Sequence, residues 1–85
     1  MIVTVRTNFL GQAELEVQIP TLKKVLMEVS EKNMIHLLDS ETGEVHSDFK
    51  IYLNGIDHER LPERIETELK NGDLVEVNFI MLAGG

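Results

Sequence analysis

Apolar and polar residues take turns along the first part of the chain. Val3 and Val5 alternate with Thr4 and Arg6, which predicts a strand over residues 2–8. Gly11-Gln12 supplies a turn. Residues 13–19 then repeat the pattern, with Leu15, Val17 and Ile19 on one face and Glu14, Glu16 and Gln18 on the other. Two such strands across a short glycine-containing connection read as an antiparallel hairpin. At Pro20 the period changes. Leu22, Val25, Leu26 and Val29 recur at i, i+3, i+4 and i+7, the stripe of a helix that buries one side. Lys23, Lys24, Glu28, Glu31 and Lys32 cover the remainder. Thr21 is placed to cap this helix by accepting a backbone N–H, and Asn33, which tolerates the left-handed conformation, to stop it.

The second half is less regular. Residues 34–38 are apolar but too short to assign. From residue 39 to 48 the chain carries four acids, Gly43 and no lysine or arginine, the composition of an exposed loop or hairpin excursion. Phe49, Ile51 and Leu53 alternate as a core strand that ends at Asn54-Gly55, a strong turn signal. Between residues 56 and 70, Leu61, Ile65 and Leu69 point inward at four-residue spacing, and Pro62 breaks the stretch into short turns with one helical turn at most. Asn71-Gly72-Asp73 turns the chain into a last strand through Leu74, Val75, Val77 and Phe79. The order is strand, strand, helix, strand, connecting segment, strand. It predicts an α+β domain, a mixed four- to five-stranded sheet with one main helix packed on one face. For the helix to cover the sheet, the first and last major strands lie side by side at its centre.

Beyond that strand stand Met81-Leu82-Ala83-Gly84-Gly85. We expect residues 1–80 to form the domain and residues 81–85 a flexible tail. Glycine has no Cβ, so such a tail fits a channel too narrow for side chains. Five extended residues reach roughly 17 Å, which would carry the carboxylate of Gly85 deep into another protein. Gly85 is thus the candidate reactive group, with Met81 and Leu82 as contacts to a partner and Ile80 partly in the core.

Composition narrows the classes. Eighty-five residues allow one small core, and 42% of them are hydrophobic. The absence of cysteine excludes disulfides and thiolate metal sites, and suits a reducing, cytoplasmic setting. Met1 leads directly into Ile2-Val3-Thr4-Val5, so no signal peptide is expected. Fifteen acids against eight bases give a net charge of −7, which repels phosphate backbones and anionic lipids and argues against nucleic acid and membrane as partners. His36, His46 and His58 are scattered, without metal-ligand spacing, so no metal site is expected. The acids between Glu59 and Glu68 alternate with Arg60 and Arg64 as a solvated face. No phosphate-binding glycine loop follows a strand. These observations point away from an enzyme with catalytic residues of its own.

The run Leu69-Lys70-Asn71-Gly72-Asp73-Leu74-Val75-Glu76-Val77 resembles the L-x-(D/N)-G-D-x-V segment before the last strand of ubiquitin-like sulfur carriers. As in that family, a strand and a Gly84-Gly85 end follow, and Asn54-Gly55 is similar to an earlier turn those proteins carry. Within the family the likeness is greatest to the small subunit of molybdopterin synthase and to the thiamine-pathway carrier. The resemblance implies the β-grasp, or ubiquitin-like, fold. It also implies that a ubiquitin-activating-type enzyme uses ATP to adenylate the carboxylate of Gly85, after which a persulfide sulfur-donor enzyme leaves a thiocarboxylate there. Delivery to the molybdopterin synthase large subunit would complete the route, with no cofactor bound by the carrier itself. Phe79, Met81, Leu82, Ala83 and Gly84 are the partner-binding residues this implies.

One departure stands out: Ile80-Met81 occupies the place where molybdopterin synthase small subunits commonly have two prolines. Thiamine-pathway carriers are usually shorter and lack an excursion like residues 39–48. A carrier for thiamine or tRNA thiolation, a modifier joined to lysines through Gly85, and a plain binding module with an incidental tail are the alternatives.

Overall fold

The structure, a computed structural model, describes residues 1–18 and 21–80. Its elements are β1 (Ile2–Thr7), β2 (Gln12–Glu16), α1 (Leu22–Asn33), β3 (Phe49–Leu53), β4 (Ile56–Asp57) and β5 (Leu74–Phe79), with 3-10 turns at His58–Arg60 and Arg64–Glu66. They make a five-stranded mixed sheet in the order β2-β1-β5-β3-β4. β1 and β5 are parallel neighbours at the centre, with Val5 opposite Val75 and Thr7 opposite Val77. β1 pairs antiparallel with β2, and β5 with β3. The expected central pairing of the first and last major strands is therefore present.

The alternation that predicted the strands sorts them into faces. Val3 and Val5 of β1, Ile51 and Leu53 of β3, and Val75 and Val77 of β5 are buried beneath the helix. Leu22, Val25, Leu26 and Val29 meet them from α1, and Leu37 and Leu69 close the core. The stripe on α1 thus buries against the sheet through the residues its spacing selected. Thr21 caps α1 as expected, its hydroxyl accepting from Lys24 N–H at 3.2 Å.

Several boundaries differ from the reading of the pattern. α1 ends one residue later than expected: Asn33 is its last helical residue, and Met34 takes the left-handed conformation at φ 54°. Asn33 is held helical because its carboxamide donates to the Val29 carbonyl at 2.9 Å. Met34 is 92% exposed, so the strain there is relieved by no packing. β2 spans Gln12–Glu16 rather than residues 13–19; Val17 is still buried and its N–H donates to the Met1 carbonyl at 2.8 Å. Ile19 lies outside the described residues. Ile80 is not partly in the core: it follows the last residue of β5 and is 42% exposed.

The acidic excursion is a hairpin. Leu38 and Val45 form a bridge, and the Asp39 carboxylate accepts from the N–H groups of Glu41 and Thr42 at the turn. Those N–H bonds, with a smaller contribution from His46, hold the Asp39 carboxyl below its ordinary pKa. Leu69 is buried and Leu61 and Ile65 pack half-buried on the core, as their spacing predicted, but two 3-10 turns rather than a single helical turn deliver them.

Candidate functional site

β5 is the element that delivers the chain toward residues 81–85, so what fixes its two ends fixes where that segment begins. At its start the two asparagine-glycine turns meet. Asn54 and Gly55 take left-handed φ values of 51° and 86°, the conformation that favours asparagine followed by glycine. The Asn54 carboxamide then donates to Asp73 Oδ1 at 3.0 Å and accepts from Leu74 N–H at 2.9 Å. Asp73 Oδ2 accepts from Lys70 N–H at 2.7 Å, and Asn71 Oδ1 accepts from Ile2 N–H at 2.8 Å. The two motifs that carried the family resemblance are therefore one structural joint. It locks β5 against β3 on one side and β1 on the other, and so sets the register of the last strand.

At the far end the exit is clamped. The Asn8 carboxamide accepts from Phe79 N–H at 2.8 Å and donates to the Phe79 carbonyl at 3.1 Å. A side chain here adds one more rung to the parallel β1–β5 ladder. On the opposite side Ile80 N–H donates to the Asp48 carbonyl at 2.9 Å. Beneath this point the three phenylalanines gather. Phe79 lies 5.3 Å from Phe49 and 6.3 Å from Phe9 between ring centroids, and Phe9 lies 5.9 Å from Phe49. Offset and edge contacts of this kind are favourable beyond the area they bury. Phe79, the one partner-binding candidate within the described residues, is half-buried in this cluster, with part of its surface free. The other candidates, Met81, Leu82, Ala83, Gly84 and Gly85, lie outside the described residues.

Next to the exit is a pocket of about 400 Å³. The acidic hairpin supplies Glu44 and Val45, β3 supplies Phe49 and Lys50, the 3-10 turns supply His58, Glu59 and Arg64, and Ile80 stands at its edge. Lys50 Nζ sits 2.7 Å from Asp57 Oδ2 and 3.4 Å from Glu59 Oε1. The Asp57 hydrogen bond raises the pKa of Lys50, and the same bond, with Glu59 N–H, lowers that of Asp57. His58 is buried, and its Nδ1 has no hydrogen-bond partner, with Asp57 Oδ1 3.6 Å away. His46 and His58, read from the sequence as scattered, line this one pocket, while His36 does not. Among the described residues no three His, Asp or Glu side chains converge as metal ligands would, and no helix is long and apolar enough to cross a membrane. Neither the pocket nor the Asn8 clamp had a signature in the sequence, since both depend on residues far apart along the chain.

A central parallel pair, flanking hairpins and a single helix across one face define a ubiquitin-like β-grasp protein. Solved structures agree. The Haloferax volcanii protein HVO 2177 is 23% identical, superposes at a TM-score of 0.77, and is matched over all of this chain and 87% of its own. SAMP1 from the same organism is 12% identical at a TM-score of 0.75, over the whole of both chains. CysO of Mycobacterium tuberculosis, described as an antigen, is 25% identical at 0.64, over 88% of this chain and 94% of its own. No protein-family model and no curated protein matches the sequence. At these identities the likeness establishes a shared fold.

Proposed function

We propose that this chain is a ubiquitin-like sulfur carrier whose working group is the carboxylate of Gly85. The observation that carries the reading is the exit of β5. A β-grasp sheet ends at Phe79, is clamped there by Asn8 and Asp48, and is followed by the small residues Ala83-Gly84-Gly85. A rigid base with a slender extension suits delivery of a chain end into an enzyme's channel.

A carboxylate is a poor electrophile, so the chemistry begins with ATP supplied and bound by a ubiquitin-activating-type enzyme. The carboxylate of Gly85 attacks the α-phosphate, pyrophosphate leaves, and an acyl-adenylate forms. The terminal sulfur of a donor enzyme's persulfide then displaces AMP to give an acyl disulfide, and a thiol attacks the donor-side sulfur, forming a disulfide and releasing the thiocarboxylate. The carrier supplies recognition, reach and the reacting carboxyl; the catalytic groups belong to the partners.

For the acceptor we favour molybdopterin biosynthesis, with Phe79, Met81, Leu82, Ala83 and Gly84 seating in the synthase large subunit. The excursion of residues 39–48 supports this over the thiamine route. Ile80-Met81, standing where prolines are common, is the feature that fits least well. Intact-mass analysis of protein from its native cells tests the reading: one oxygen replaced by sulfur at Gly85 is expected. Gly85 found joined to a lysine instead would make the protein a modifier. Failure to form any acyl-adenylate with ATP and an activating enzyme would leave only a binding module.

A further inference from the structure

The sheet has two edges. β4 holds only two residues at one of them, whereas β2 closes the other with five, Gln12–Glu16, and no described strand lies beyond it. We propose that this edge of β2 is a docking site for an extended segment of another protein, one in which apolar residues alternate with lysine or arginine.

The pairing of β2 with β1 fixes which backbone groups are free. Thr7 N–H donates to the Gly11 carbonyl and Val17 N–H to the Met1 carbonyl, both at 2.8 Å, so the odd-numbered residues here turn toward β1. In an antiparallel ladder the intervening residues turn their N–H and C=O groups the other way. Those are Gln12, Glu14 and Glu16, and each is exposed. Outward donors and acceptors at every second residue are what an added strand pairs with.

The two faces of β2 define the guest. Leu15 and Val17 are buried beneath α1, so Ala13 stands on the same, helix-covered face. Beside it, between β2 and α1, opens a groove of about 200 Å³, with Val5, Leu15 and Val29 as its floor and the exposed Leu10 at its wall. Alternate side chains of an added strand fall on this face, where apolar groups suit the floor and Lys32 at the rim disfavours a cation. The remaining side chains fall on the open face beside Glu14 and Glu16. Among the described residues Glu14 has no ion-pair partner, and Glu16 has only the Met1 amino group, 3.9 Å away. Arg6 of β1 is already engaged with Gln12 and Glu76. A lysine or arginine directly opposite either acid completes a cross-strand pair.

A second copy of the chain fails the same test. The antiparallel register that pairs all five residues of β2 with another β2 sets Glu14 opposite Glu14, and like charges directly opposite are destabilising. The acids that keep two copies apart thus select a basic partner. None of this depends on chemistry at Gly85.

Titrating the full chain with a short blocked peptide of alternating valine and lysine, followed by amide NMR and hydrogen exchange, tests the site. The amides of Gln12, Glu14 and Glu16 are expected to shift and to exchange more slowly. Those of Ala13 and Leu15, already turned to β1, should change far less. A peptide N-methylated at its lysines, whose N–H groups face β2, should not bind, nor should a valine–glutamate peptide. Glu14→Lys alters an exposed side chain, so it should keep the melting temperature while weakening the valine–lysine peptide and strengthening the valine–glutamate one. Unmoved edge amides would overturn the proposal. So would equal binding of the N-methylated peptide, which reduces the contact to bulk charge attraction, or an unchanged preference in Glu14→Lys. Protection of the same amides that grows with protein concentration in the absence of peptide would make a second copy the occupant and overturn it too.

Discussion

Replacing Asn8 with alanine removes both hydrogen bonds that hold Phe79 to the end of β1, at 2.8 and 3.1 Å. Both are exposed, so water can take over part of each. The net loss per bond should then fall in the lower part of the usual range, about 0.5–1 kcal/mol, or about 1–2 kcal/mol for the pair. The loss is local, since Phe79 is the last residue of its strand and opening it disturbs no further rung of the β1–β5 ladder. At about 1.4 kcal/mol per tenfold, the Phe79 amide should exchange with solvent about 5- to 30-fold faster in Asn8→Ala. Amides of Val75 and Val77, buried in the middle of β5, should change far less. Asn8→Asp keeps an acceptor for Phe79 N–H but sets a charge against its carbonyl, so it should fall between the two. Hydrogen exchange followed by NMR reads all three positions in one experiment. Equal protection of Phe79 in wild type and Asn8→Ala would refute the clamp, and uniform acceleration along β5 would mean that Asn8 acts through global stability instead.

Other perturbations probe the joints that position this exit. Leu26→Ala empties a fully buried site between α1 and the sheet and should destabilise the fold by about 2–5 kcal/mol, measured as a lower denaturant midpoint at unchanged slope. Asn54→Ala opens the joint with Asp73 and Leu74 and should destabilise by about 1–2 kcal/mol; an unchanged midpoint would mean the turn glycines alone hold it. Asp57 titrates below its ordinary value of 3.8 because Lys50 and Glu59 N–H stabilise the carboxylate. Its contribution to stability is therefore full above that value and disappears as pH falls through the lower folded-state pKa. Asp57→Asn should flatten stability against pH in that acid window and leave the profile near neutrality parallel to wild type. Deleting Gly85 should leave the melting temperature unchanged and abolish loading; a large fall in melting temperature would mark the tail as structural.

Local pattern was enough to place most of this fold. Val3 and Val5, Leu15 and Val17, and the Leu22–Val29 stripe each bury where a period of two or of 3.6 predicts, because the sheet has one covered face and a helix has one inward side. Thr21 could be read as a cap because a cap bonds to a residue only three places on. Where neighbouring residues compete the reading slipped. Asn33 stayed helical through its bond to Val29 and passed the left-handed turn to Met34, and Ile80 fell outside the ladder that was expected to hold it partly in the core.

What the chain could not disclose on its own is the meeting of distant parts. Asn54 and Asp73, separated by nineteen positions, and Asn8 and Phe79, separated by seventy-one, become partners only when β5 enters the sheet between β3 and β1. The pocket of His58, Val45 and Ile80 has the same origin, assembled from a hairpin, a 3-10 turn and a strand end. Composition and period are properties of neighbours in sequence and decide which face each element buries. The clamp and the pocket are properties of neighbours in space, and only the closing of the sheet creates them.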